Sequence, residues 1–205
     1  MDKVKPWLKS GVIVLTFFYY NAFAQDAEAI KDIEAHREKQ KTEFLEGEKS
    51  PLSPKDKRKF KGFNFYPIDL KYRVHATFVR VEGLPVFKMK TTTDRLPEYV
   101  KYGEVRFQID SQEYTLDVYQ SPDIMKMDGY EDYLFIPFTD ATNGSETYEV
   151  GRYLEFRIPE SKNVIVDFNK CYNPYCAYSP NFSCPIPPAA NQLPIAIPVG
   201  EKKFH

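Results

Sequence analysis

The sequence is poor in the residues that most metal and nucleophilic chemistry requires. Its 205 residues include three histidines, His36, His75 and His205, and three cysteines, Cys171, Cys176 and Cys184. No histidine pair has the spacing of a zinc-protease helix, and none sits at a zinc-like distance from the cysteines. His75 is the one histidine in a stretch that reads as sheet, where a satisfied structural role is the ordinary one. A Ser-His-Asp triad therefore finds no base. No glycine-rich phosphate loop and no calcium loop appears, so no metal site is expected and no cofactor is named. The net charge is −1 and no long basic run stands out, which removes the electrostatic footprint of a nucleic-acid binder.

What is present begins at the N-terminus. Lys3, Lys5 and Lys9 precede a short apolar run from Gly11 to Tyr20, and Ala22-Phe23-Ala24 follows. Positive charge, a short apolar core and small residues two apart are the three parts of a secretory signal peptide. Cleavage is expected after Ala24, leaving Gln25 as the new N-terminus and placing the mature protein in the periplasm or outside the cell. The run is shorter than the roughly 20 apolar residues of a spanning helix, and no later segment is long and apolar enough to span a bilayer. No cysteine follows it to carry a lipid.

Residues 25–47 predict a helix, with Ile30, Ile33, Phe44 and Leu45 near one face and charged residues elsewhere. Asp26 is positioned to cap it, and Gly47 with Ser50-Pro51 to stop it. Residues 48–62 are polar and read as a connector. Phe60, Phe63, Phe65 and Tyr66 then predict anchorage in the core.

Residues 63–205 read as a single β-domain. Aromatic content is 16%, which favours pleated surfaces. From Tyr72 the period is two: Tyr72, Val74, Ala76 and Phe78 point one way. Further strands are predicted near Val86–Thr93, Val105–Ile109, Tyr114–Val118, Tyr133–Phe138, Tyr153–Ile158 and Val164–Phe168. Asp110-Ser111-Gln112 joins two of them as a hairpin. Short strands without intervening helices predict a mainly β fold, an antiparallel β-sandwich or barrel with one N-terminal α-helix. Residues Pro185–Pro198 hold five prolines; they predict an extended C-terminal segment running over the sheet surface.

From Phe138 the chain reads Phe-Thr-Asp-Ala-Thr-Asn-Gly, Glu-Thr-Tyr and Gly-Arg-Tyr-Leu, then Asp-Phe-Asn, Tyr-Asn-Pro, Cys-Ala-Tyr, Cys-Pro-Ile-Pro-Pro and Gly-Glu-Lys. This order closely resembles the family catalogued as domain of unknown function 1684. Ser50-Pro51-Leu52 and the stretch from Phe63 to Ala76 are similar to it too. The resemblance implies no established reaction, substrate or cofactor. Cys171 departs from it, since relatives have a small apolar residue there, so a shared role for that thiol is not expected.

Candidate site residues lie at strand ends and turns, where a rigid scaffold presents side chains. Asp140, Asp167 and Glu201 are the candidate catalytic acids. Asn143, Arg152, Tyr153, Asn169, Asn173 and Tyr178 are the candidate ligand-binding residues, with Arg152 able to clamp an anion. The same groups could instead brace the proline-rich segment against the sheet. Cys176 and Cys184, in an oxidising compartment, suggest a disulfide, with buried thiols as the alternative. The expected function is a small-molecule or glycan binding module, with Tyr148, Tyr153, Tyr172 and Tyr178 as stacking rings. The alternatives are a carboxylate-dependent hydrolase and a structural or interaction protein of the cell envelope that uses its N-terminal helix.

Overall fold

A computed structural model describes residues 10–48 and 50–204, with side chains from Ala24 onward. Lys3, Lys5, Lys9 and His205 lie outside the described residues. The protein is mainly an antiparallel sheet curled into a half-barrel, with one long N-terminal helix. Helix α1 spans Ser10–Glu46 and α2 spans Pro54–Lys59. The strands are β1 (Arg73–Arg80), β2 (Phe87–Lys88), β3 (Glu98–Ile109), β4 (Gln112–Gln120), β5 (Tyr133–Phe138), β6 (Arg152–Arg157) and β7 (Asn163–Asp167). Their order across the sheet is β6-β5-β4-β3-β1-β7, and β2 adds to β3.

The alternation expected for β1 is present: Val74, Ala76 and Phe78 are buried. They join Val105, Phe107, Leu116, Val118, Leu134, Ile136, Phe138, Leu154 and Val166 on the concave face. The β3–β4 hairpin turns through Asp110 and Ser111, both at positive φ, with Ile109 opposite Gln112. Two left-handed residues make the turn whose twist matches the flanking strands.

The outer face is apolar as well. In β5 all six residues are buried, because a strand covered on both faces cannot alternate. A bulge between Lys101 and Gly103 adds a residue to β3 and so reverses its alternation. Tyr99 thereby points outward. It joins Tyr119, Tyr133, Phe135 and Tyr153 in a second cluster beneath residues 172–184. Gly103 is required at the bulge, since a Cβ there would lie 2.6 Å from the Val79 carbonyl oxygen and 2.7 Å from the Phe78 ring.

One expectation needs correction, and two segments hold more helix than the sequence indicated. The proline-rich segment does not lie over the sheet surface: Leu193, Ile197 and Val199 are in the inner core, so it plugs the hollow of the half-barrel. Its fully buried Asn191 donates to the carbonyls of Asp117 and Pro137 at 2.9 and 2.7 Å. That bridges β4 and β5 where Pro137 has no N–H to offer. The connector contains α2, capped by the Ser53 hydroxyl, which accepts from the Asp56 N–H at 3.2 Å. Helix α1 begins well before Asp26 and continues past Ala24 without a break. Its buried stripe runs through Ala29, Ile33 and Phe44, while Ile30 is exposed. Between those apolar anchors, Arg37 and Gln40 meet the body through polar contacts.

Phe60, Phe63, Phe65 and Tyr178 gather around the end of α1 rather than in the inner core. The Phe44 ring lies 4.7 Å from Phe63 and 4.8 Å from Tyr178, and Arg37 stacks on Phe65. Among the described residues, no helix is long and apolar enough to cross a membrane.

Candidate functional site

The candidate polar residues form three clusters. In the first, Arg152 is fully enclosed. Its Nη2 donates to Asp140 Oδ2 at 2.6 Å and to the Ile197 carbonyl at 2.8 Å. Its Nη1 donates to the carbonyls of Val199 and Glu201 at 2.5 and 3.4 Å. Asp140 Oδ1 accepts from the Thr142 N–H and hydroxyl and from the Ile197 N–H. Asn143 holds the turn by accepting from the Asp140 N–H at 2.6 Å and donating to the Tyr148 carbonyl at 2.5 Å. The planar guanidinium fork suits several fixed acceptors, but here they are a carboxylate and the chain's own tail.

The second cluster joins β1 to β7. Asn169 donates to the Asp69 carbonyl and accepts from the Asp69 N–H, each at 3.0 Å, and also binds Asp167 at 2.9 Å. Asp167 pairs with Arg73 at 3.3 Å. In the third, Glu201 is buried and accepts from the Tyr178 hydroxyl, the Asn173 N–H (3.0 Å) and Gln40 of α1 (3.4 Å). Burial pushes its carboxyl up to about 7, against the pull of those hydrogen bonds. Asp140, Asp167 and Glu201 thus fall in three separate networks, and Asp140 and Glu201 are enclosed by their internal partners. Cys171 is fully buried, and burial raises its thiol to about 11, so it is inert.

An accessible concavity exists elsewhere. A cleft of about 450 Å³ lies between α1 and the outer sheet face. Tyr99, Tyr133, Phe135 and Tyr153 form its floor, and Tyr172, Tyr175 and Phe182 its side. The rings meet edge to face: Phe135–Tyr153 at 4.7 Å, Tyr153–Tyr172 at 5.9 Å and Tyr175–Phe182 at 5.2 Å. Edge-to-face packing suits the ring quadrupoles and leaves ring faces for other contacts.

The rim carries charge. Lys39 and Glu43 come from α1, Arg95 from the β2–β3 connection, and Glu155 and Arg157 from β6. Arg157 is held by Asp132 at 2.6 Å, and Arg95 donates to the Ser183 carbonyl at 2.7 Å. Surrounding protein, then the negative charge of Glu43, raises the Glu155 carboxyl, while the Tyr172 hydroxyl, 3.4 Å away, opposes the shift. His36 also lines the cleft, and its Nε2 has no hydrogen-bond partner. Burial and then the Lys170 charge lower its pKa, which favours the neutral ring. A second hollow of about 380 Å³ lies at the seam between the edge strands β6 and β7, and shares His36, Glu155 and Arg157 with the cleft.

Of the sequence candidates, the cleft holds Tyr153 and Cys184, and of the expected stacking rings also Tyr172. Tyr148 is bonded to Cys176 and Tyr178 to Glu201. Sequence reasoning missed Tyr99, Tyr133, Phe135, Glu155, Arg157 and His36. One signal was available: the unbroken apolar run Tyr133–Phe138 requires cover on both faces of β5. Cys176 and Cys184 are unbonded, and Cys184 Sγ accepts from the Cys176 N–H at 3.1 Å. Among the described residues, no group of three or more His, Cys, Asp and Glu is placed to hold a metal ion.

The family model described as protein of unknown function (DUF1684) matches residues 58–202. The chain belongs to this family. The DUF1684 match contains the Arg152 cluster and Glu201 but begins after α1, so the helical wall of the cleft lies outside it. Among solved structures, the DUF1684 chain is similar to an uncharacterised protein of Haloarcula marismortui solved by solution NMR. The two are 32% identical with a TM-score of 0.68, over 87% of this chain and 96% of the other. No curated protein matches.

Proposed function

We propose that this DUF1684 protein is an extracytoplasmic binding module whose ligand is a small molecule or glycan bearing a ring. The observation that carries the reading is the cleft: an aromatic floor beneath a rim holding Glu155 and Lys39. Ring faces supply sequence-tolerant apolar contact, and a few convergent polar groups fix orientation. A carboxylate flanked by hydroxyls and cations suits a polyhydroxylated ligand. No reaction is assigned to Asp140, Asp167 or Glu201: Asp140 and Glu201 are buried and committed to internal bonds, and Asp167, which borders the second hollow, is paired with Arg73.

The extracytoplasmic part of the reading is supported by the Lys3-Lys5-Lys9 cluster, the apolar run and Ala22-Phe23-Ala24. Mass determination of the N-terminus of protein recovered from cells tests it, with Gln25 the expected first residue. The ligand is tested by thermal shift against panels of glycans and small metabolites. A ligand at about 100 times its dissociation constant adds about 2.7 kcal/mol. Glu155→Gln is expected to abolish that gain while melting like the parent without ligand. No stabilisation by either panel would overturn the proposal.

A further inference from the structure

Beside the cleft lies a pair of thiols that the binding reading does not use. Cys176 sits in the short turn Tyr175–Ala177, half-buried, and Cys184 is buried eight residues later where its carbonyl and N–H are bonded to Thr92. Cys184 lines the cleft. Its sulfur accepts the Cys176 N–H, and the Tyr148 hydroxyl reaches Cys176 Sγ at 3.5 Å. We propose that Cys176 and Cys184 are a redox-active thiol pair that exchanges with small-molecule disulfides, with Cys176 as the attacking sulfur and Cys184 as the resolving one.

The assignment of roles follows from the surroundings. Cys176 is the more open of the two, and hydrogen bonds from the Cys184 thiol first, then from the Tyr148 and Thr92 hydroxyls, favour its thiolate against the opposing effect of burial, to about 7. The same contact with Cys176, then burial, holds Cys184 protonated. An attacking thiol works best when its pKa is near the ambient pH. In the first step the Cys176 thiolate attacks one sulfur of a disulfide R–S–S–R. A Cys176–SR bond forms, the reagent's S–S bond breaks, and RS⁻ leaves with the electron pair and takes up a proton. In the second, Cys184 loses its proton to solvent and attacks Cys176 Sγ, expelling a second RS⁻. Two electrons pass from the pair to the reagent.

The test equilibrates the protein in buffers of varied oxidised-to-reduced glutathione ratio. Acid quenching, alkylation and peptide mass spectrometry then count free thiols. The expected result is a reversible loss of two hydrogens shared by the Cys176 and Cys184 peptides, with Cys171 unreacted. Cys184→Ser should trap a glutathione adduct on Cys176, and Cys176→Ser should leave Cys184 unmodified. Two alkylatable thiols at every ratio, or a bond that resists reduction at every ratio, would overturn the proposal. So would an adduct that forms on Cys184. The wild-type measurement decides the matter even where a variant fails to fold.

Discussion

At the scale of single residues, the most demanding position is Arg152. It is fully enclosed with Asp140, so removing one partner strands the other charge away from water. Arg152→Met is expected to cost about 3–5 kcal/mol, read as a lower urea midpoint, since breaking a buried pair has that size. The double variant Asp140→Asn with Arg152→Met should recover part of the loss, because the two sites share one network. Glu201 predicts a pH effect of definite sign. Its folded-state carboxyl titrates at about 7, above the usual value near 4.5, so the folded chain keeps a proton that the unfolded chain gives up. Stability is then full below about pH 4.5 and falls as the pH rises toward 7, by about 3 kcal/mol in all. Glu201→Gln should flatten that slope in urea titrations at successive pH values. His36 has the opposite sign, since its lowered pKa strengthens the fold as pH rises. It is present in both proteins and cancels in the comparison.

At the scale of elements, the strands were legible because their signals are local. The Tyr133–Phe138 run matches β5, and Asp110-Ser111 forms the hairpin that the flanking alternation requires. Ser111 holds φ at 63°, a conformation in which a Cβ is unfavourable. Ser111→Gly is expected to raise stability by about 0.5–1 kcal/mol, measured by thermal melting, since glycine is the preferred residue at that turn position. Helix α1 was half legible. Periodicity found Ile33 and Phe44 but also chose Ile30, which faces solvent. The middle of the buried stripe is Arg37 and Gln40, whose partners are Tyr66 and Glu201, and a hydropathy pattern does not register a polar side chain satisfied from the far end of the chain. Deleting residues 25–46 exposes the aromatic cluster around Phe63 and removes Ile33 from the body. It is expected to yield protein that aggregates or binds a hydrophobic dye, whereas a detachable arm would leave a cooperative melt.

At the scale of the whole molecule, the candidate site was the least legible part. Arg152, Asp140 and Glu201 stood out as polar residues in a specific motif order, but whether such groups serve a ligand or the fold depends on what the tail carbonyls of Ile197 and Val199 do. That is a long-range fact. The cleft is longer-range still. Its floor comes from β3, β5 and β6, its side from residues 172–185 and its roof from α1, so no one window of sequence contains it. The bulge at Lys101–Gly103 decides that Tyr99 faces it.

The tail that fills the half-barrel also sets the order in which the protein can be completed. A ribosome has made all seven strands before it makes Ile197 and Val199, whose carbonyls neutralise the demands of Arg152. Until then the nascent sheet has an open hollow, and Arg152 has its Asp140 partner but not the tail carbonyls. The inner core is therefore closed only after the sheet that surrounds it has been made.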